Sequence, residues 1–408
     1  MVEYVATVRV SHAFGGGDFY GGEKVTVKPL NFVVLPYRDR YFLESYGNAV
    51  RDLHMIQAVA GHKDVCGVSV FNRPVTLHER LLLRKSAKVG GLPHGSFPGV
   101  NWIDKTDKSP VAPLARRRWV AKAYKRWHEE ISALRRSDAV NVLLDFTPLA
   151  KIDYNSLGFD VVWYDAIDNF TKHNRFSSSE VDLVKDKYLY VSQNADLITA
   201  VSAGALSAFD GSSQRFVLPN GLPRSAEVGI RPCCQDAYDF GFMGFITNKF
   251  DVSLIRKLSA MGYRTAIFGQ VYDRETAKAL ASIQGVYLHG AFEYREAAGI
   301  STLFKVGLIP YLRSKLHDES PLKLYQYLSW GKPVLSSIGY EISSPFIRVY
   351  QEASDADLED LCRISIQEAQ DFGMRAKIYA SVGDEFKWEF KIAEMIDRVF
   401  QIHRKLRQ

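Results

Sequence analysis

Cysteine is scarce in these 408 residues, and Cys66, Cys233, Cys234 and Cys362 include neither a CxxC pair nor a histidine at metal-ligand spacing. Nothing here points to a zinc module, and a reduced, cytoplasmic compartment fits. Long apolar runs are also missing: no segment supplies the ~20 apolar residues that a spanning helix needs. The first residues include acidic Glu3 and reach Arg9 without a long apolar stretch, so no signal peptide is expected. Contact with a membrane, if made, is from the side. A large excess of one charge is absent too, with 52 Lys and Arg against 46 Asp and Glu and a net charge of +6. Spread over this length, that does not argue for nucleic acid, although a local basic cluster suits an anionic membrane surface or a diphosphate. What is present is ordinary globular composition, 24% charged and 47% hydrophobic, in a chain long enough for two cores.

The glycine-rich stretch Gly15-Gly16-Gly17-Asp18-Phe19-Tyr20-Gly21-Gly22 lies between short strands at 4–10 and 24–27. No apolar helix follows it, so it reads as a hairpin or flap and not as a phosphate cradle. From residue 31 the pattern becomes strand, loop and helix. A strand at 32–35 is followed by a loop with Arg38 and Arg40, a helix over 46–60 and a strand at 65–71. Further units follow: a helix at 116–136, strands at 140–144 and 161–164, a helix at 180–194, and strands at 197–200 and 216–218 leading into Pro219-Asn220-Gly221. After the polar stretch 223–236 a second series begins, with strands at 238–243, 264–268, 286–289, 306–309 and 333–336. Apolar strands alternating with helices imply parallel sheets covered on both faces. The expected α/β organisation is two Rossmann-like domains, 1–222 and 223–387, with a helix at 388–408 and a cleft at the C-terminal strand ends, where open α/β sheets bind ligands.

The segment Asp318-Glu319-Ser320-Pro321-Leu322-Lys323-Leu324-Tyr325-Gln326-Tyr327-Leu328-Ser329-Trp330-Gly331-Lys332-Pro333-Val334 carries the chemistry. Ser320 suits an N-cap and Pro321 a first turn, so a helix is expected to start there and stop at Gly331. Its N-terminus offers backbone N–H groups and partial positive charge to a diphosphate, Lys323 adds a full charge, and Gln326 lies one turn on. The alternative is an amphipathic helix with Lys323 and Gln326 solvated. The motif resembles the donor-site helix of GT-B glycosyltransferases, especially the membrane-associated glucuronosyltransferase family of xanthan-type exopolysaccharide assembly. In that family a Lys and a Gln stand three apart, as Lys323 and Gln326 do, and a Tyr closes the preceding strand, as Tyr311 does. Broader retaining families carry a Glu at each end of a seven-residue gap, where this chain has Asp318 and Gln326. The turn ending at Gly244 resembles the first turn of the donor domain, and His289-Gly290-Ala291-Phe292 resembles the turn that receives the nucleobase, with Ala291 replacing an acidic residue.

The resemblance thus implies a GT-B fold and a donor site of Gly244, Phe292, Tyr311, Ser320, Leu322, Lys323 and Gln326. Tyr164-Asp165-Ala166-Ile167-Asp168-Asn169-Phe170 resembles the strand end bearing the family's catalytic aspartate, which falls on Asp168, with Asp165 as the alternative. A carboxylate there can take the acceptor hydroxyl's proton while Lys323 and the helix stabilise the leaving diphosphate, with no metal and no cofactor. Read as a residue alone, Asp168 suits an N-cap or a loop, because Asp often ends strands. Arg38 and Arg40 are candidates for an acceptor diphosphate. The basic and aromatic helix at 114–136 fits an anionic membrane through Trp119, Tyr124 and Trp127, or a core stripe through the same residues. The implied function is transfer of a sugar from a nucleotide donor, a UDP-sugar, to a saccharide acceptor linked to polyprenyl diphosphate, at the inner face of the membrane. A sugar-nucleotide epimerase and a non-catalytic nucleotide-sugar-binding partner are the alternatives.

Overall fold

The computed structural model describes residues 28–38, 50–81, 99–108, 117–173, 176–211, 213–222, 229–234 and 236–408. The glycine-rich stretch from Gly15, the strands read before residue 28, and Arg40 lie outside the described residues. In chain order the first strands are β1 (Leu30–Leu35), β2 (Val65–Phe71), β3 (Val75–Thr76), β4 (Val100–Ile103), β5 (Thr106–Asp107), β6 (Val140–Asp145), β7 (Val161–Ala166), β8 (Leu197–Ala200) and β9 (Gln214–Val217). β3 and β5 form a small ladder, and the rest make one parallel sheet in the order β4-β2-β1-β6-β7-β8-β9. A second parallel sheet runs β12-β11-β10-β13-β14-β15, from β10 (Tyr238–Met243), β11 (Thr265–Phe268), β12 (Val286–Gly290), β13 (Phe304–Ile309), β14 (Val334–Ser336) and β15 (Ile347–Val349). Two parallel α/β sheets facing a shared cleft is the layout that the GT-B resemblance implied.

The central strands are apolar throughout because helices cover both faces: every residue of β1, β6, β7, β8 and β11 is buried. In each sheet the chain steps outward from a central strand and then returns to its other side, between β1 and β6 and between β10 and β13. Such reversals splay the loops at the carboxyl ends and open a crevice.

One glycine pair fixes the helix that matters most. Gly241 of β10 lies beside Gly307 of β13. A Cβ on Gly241 would sit 2.1 Å from the Phe304 ring, and one on Gly307 would sit 2.3 Å from the Tyr327 ring. With both side chains absent, the helix Leu322–Ser329 settles directly on the sheet, and the Met243 amide donates to Tyr327 Oη at 2.9 Å. Leu324 and Leu328 of that helix are fully buried, each contributing about 1.5–3 kcal/mol. The helix start is thereby held at the carboxyl ends of β10 and β13.

The C-terminal helix Trp388–Leu406 packs on the first sheet, not the second: Ile392, Met395, Ile396, Val399 and Ile402 share a core with Leu30, Phe32, Leu53 and Ile56. Phe390 of the same helix is 59% exposed. The expected continuous helix over 116–136 is broken into Arg117–Val120, a 3-10 turn Lys125–Trp127 and His128–Ser132. Its aromatic side chains face inward. Trp119 and Tyr124 join the core beneath β1 and β6, Trp127 packs against it, and Lys122, Lys125 and Arg126 are the exposed residues of the turn.

Candidate active site

The cleft between the sheets encloses about 320 Å³, and Arg38, Asp168, Gly244, Phe292, Tyr311, Ser320, Leu322, Lys323 and Gln326 all line it. Asp165 does not. Residues from the loops after β1, β7, β10, β12 and β13 and from one helix therefore converge although they are up to nearly three hundred positions apart.

On the second sheet's side, the helix begins at Leu322 with Pro321 as N-cap, and no side chain caps it. This corrects the expected start. Pro321 is extended (φ −73°, ψ 121°), and the Ser320 hydroxyl meets Tyr325 Oη at 3.3 Å instead of capping. The Leu324 amide donates to the Pro321 carbonyl at 3.0 Å, so the Leu322 and Lys323 amides are the first-turn groups that remain for a ligand, with the positive end of the helix behind them. Lys323 Nζ donates to Tyr311 Oη at 2.5 Å and lies 4.1 Å from the Phe242 ring centre. Burial, and then the Lys249 ammonium, push Lys323 well below the usual lysine value, against a pull from Glu319. Gly244 makes this pocket possible: its φ is +142°, and a Cβ there would come within 2.6 Å of Lys323 Nζ. Gln326 Nε2 donates to Tyr294 Oη at 3.0 Å, so it is held and not solvated.

Below Lys323 is a charge cluster that the sequence did not disclose. Lys249 Nζ binds Glu319 Oε1 at 2.6 Å and sits 4.3 Å from the Tyr311 ring centre. Burial alone would raise Glu319, yet Lys249 and His317 hold it below the usual glutamate value. His317 Nδ1 is 3.4 Å from Glu319 Oε2 and 3.5 Å from Asp168 Oδ1. Burial pulls this imidazole down, and the two carboxylates outweigh it, so His317 ends above the usual histidine value.

On the first sheet's side, Asp168 follows β7 with its side chain 24% exposed, and its backbone carbonyl accepts from Tyr188 Oη at 3.1 Å. Asp165, three residues earlier, is fully buried. It accepts from Arg51 Nε at 2.8 Å, Arg51 Nη2 at 2.9 Å and Thr199 Oγ1 at 2.6 Å. With both oxygens engaged away from the cleft, it anchors Arg51 instead of facing a substrate. Arg51 Nη1 donates onward to Asn220 Oδ1 at 3.1 Å, and Asn220 Nδ2 donates to the Ser320 carbonyl, which ties the two sheets at the helix start. Arg38 lines the cleft, with its guanidinium 4.4 Å from the Tyr37 ring centre and its amide donating to buried Asp52 at 3.3 Å.

Asp318 holds the one positive φ of a non-glycine residue among the described residues, +61°. Its side chain turns from the donor helix toward the first sheet's loops. It accepts from Asn169 Nδ2 at 2.8 Å and pairs with Lys172 at 2.9 Å, and its carbonyl accepts from Ser202 Oγ at 2.7 Å. The Asn169 amide donates to the His317 carbonyl at 3.0 Å, and a Cβ on Gly204 would touch the Asp318 carboxyl group at 2.7 Å.

No family model and no curated protein matches this sequence. Solved structures do. TarM is 11% identical, covers 64% of this chain at a TM-score of 0.45, and is spanned over 54% of its own length. AviGT4, a glycosyltransferase involved in avilamycin A biosynthesis, is 13% identical over 93% of this chain and 98% of its own, at 0.49. UDP-GlcNAc 2-epimerase from Neisseria meningitidis bound to UDP-GlcNAc is 10% identical over 91% and 100%, also at 0.49. These are distant likenesses of shape, shared by enzymes of different reaction classes, and function must be read from the site.

The chemical capacity of that site is specific. Cations and open amides line one wall, a partly exposed carboxylate lies on the other, and among the described residues no cluster of three His, Cys, Asp or Glu side chains is placed to hold a metal ion.

Proposed function

We propose that this chain is a glycosyltransferase that binds a nucleoside-diphosphate sugar, a UDP-sugar, at the start of the helix Leu322–Ser329 and transfers the sugar to an acceptor hydroxyl. One observation carries the reading. Lys323 is a half-buried cation whose hydrogen bond goes to a neutral phenol, while the nearby Glu319 carboxylate is bound to Lys249. An ammonium drawn partly out of water without its own anion is costly, and a diphosphate in the cleft supplies that anion. The first-turn amides and the helix dipole add to the attraction. Gly244 leaves room for Lys323, Phe292 lines the cleft for the base, and Tyr311 and Gln326 offer polar groups beside it.

Asp168 then takes the acceptor proton as the oxygen attacks the anomeric carbon. The electrons of the breaking glycosidic bond pass to the diphosphate, whose growing charge meets Lys323 and the amides. This scheme needs no metal. Asp165 supports the wall from behind through Arg51 and makes no contact with the cleft. The acceptor is a saccharide on polyprenyl diphosphate, by the sequence resemblance, with Arg38 on the acceptor side of the cleft. Peripheral contact with the inner face of the membrane rests on exposed Lys122, Lys125 and Arg126 alone, since the neighbouring aromatics are turned inward. No helix among the described residues is long and apolar enough to cross a membrane.

Thermal unfolding with UDP, other nucleoside diphosphates and their sugars, with and without EDTA, tests the donor site, because a ligand of the folded state raises the melting temperature. A rise with UDP that survives EDTA supports the reading. No rise with any nucleotide overturns it.

A further inference from the structure

The reading above uses Asp168 but gives no work to the imidazole facing it. His317 belongs to the second sheet's half, and its Nδ1 reaches Asp168 of the first at 3.5 Å and Glu319 at 3.4 Å. We infer that His317 is a positioning residue for Asp168, an imidazole placed beside two carboxylates that fixes the base only while the two halves are closed on each other.

Three further observations carry this. The segment bearing His317 is fastened across the cleft at His317 itself and at the next residue, by the Asn169 amide on the His317 carbonyl and by Asn169, Lys172 and Ser202 on Asp318. The His173 ring is stacked on it, with 5.0 Å between ring centres and 21° between planes. Its charged surroundings come from every packed element: Asp168 after β7, His173 at the end of the following turn, Glu319 on its own segment, and Lys249 after β10, already bound to Glu319. Two carboxylates thus outnumber the one lysine, which is already paired, and the imidazole sits at the position that balances them.

This rests on Asp168 as base, and its test is separate from the donor test. In the full chain labelled at histidine, the ten ring signals are followed by NMR against pH, with His317 assigned by its loss in His317→Gln. The expected midpoint lies above about 6.5 and falls in Asp168→Asn. UDP release from the UDP-sugars that stabilise the protein should decline as pH rises through that midpoint. In His317→Gln the decline disappears and the rate is at least tenfold lower, while UDP affinity stays within about twofold. A His317 midpoint that ignores Asp168→Asn in a folded protein overturns the inference even if UDP binds. Absence of UDP binding with a responsive midpoint overturns the transferase reading alone.

Discussion

Replacing Lys323 with Met should strengthen the empty protein and weaken its hold on UDP. Met keeps the length of the side chain and removes the charge, so the Phe242 and Tyr311 rings retain a packing partner. In the unliganded state the ammonium is half-buried, gains only a phenol hydrogen bond, and is further opposed by Lys249, so its removal is neutral or favourable. With diphosphate bound, the same substitution leaves buried phosphate charge without its nearest cation. Losing one partner of such a pair costs about 2–5 kcal/mol. A middle value of about 3 kcal/mol corresponds to a little over two decades in Kd, at 1.4 kcal/mol per tenfold. Proton linkage gives a second reading. The folded value of Lys323 lies below its unfolded one, so between them the unfolded chain binds the extra proton and stability rises with pH. That rise should flatten in Lys323→Met. A bound diphosphate pulls the Lys323 value back up, so over the pH range between the free and the bound value UDP binding takes up protons and weakens as pH rises. Calorimetry in two buffers of different ionisation heat measures both the Kd and the uptake. A Kd within about twofold of the natural protein's, with no proton uptake in either, would refute the reasoning.

Breaking the buried Arg51–Asp165 pair with Arg51→Met should cost about 3–5 kcal/mol in urea unfolding, because Asp165 is left charged at zero exposure, and the double variant Arg51→Met/Asp165→Leu should recover most of it. In Gly244→Ala the new methyl meets Lys323 Nζ at a backbone angle that side chains rarely adopt, so UDP affinity should fall at least tenfold with a stability loss of about 1–3 kcal/mol. His317 is raised in the folded state, so its stabilisation is complete below its unfolded value of about 6.5 and is lost as pH rises through the folded one. The stability gap between the natural protein and His317→Gln should therefore be larger at acidic pH than at alkaline pH, and an equal gap at both would count against the two-carboxylate setting.

The architecture was largely readable because its strands are buried on both faces. β1, β6 and β10 announce themselves as apolar runs between helices. The edges did not: β4 and β15 are short, half-exposed strands, and nothing in Val100–Ile103 or Ile347–Val349 separates them from loop by pattern. The helix bearing Lys323 and Gln326 was legible as a motif, but its first residue was not, because Ser320 and Pro321 each suit more than one position at a helix start. Lys249 and Arg51 carried no local signal, since their partners are 70 and 114 residues away. The two aspartates, one near the end of β7 and one just after it, stand only three residues apart in sequence. One strand register separates them: Asp165 lies opposite Thr199 within the sheet, whereas Asp168 has left it.

The left-handed turn at Asp318 has a kinetic implication. The Asp318 carboxylate is spent on a clasp between the two halves, immediately before the residues proposed to hold the diphosphate. Opening that clasp pulls on His317 and on the helix start together. Departure of the spent nucleotide and disengagement of the base would then be one event, so turnover would be limited by the unlatching of a single loop, and increasing acceptor concentration would not relieve it.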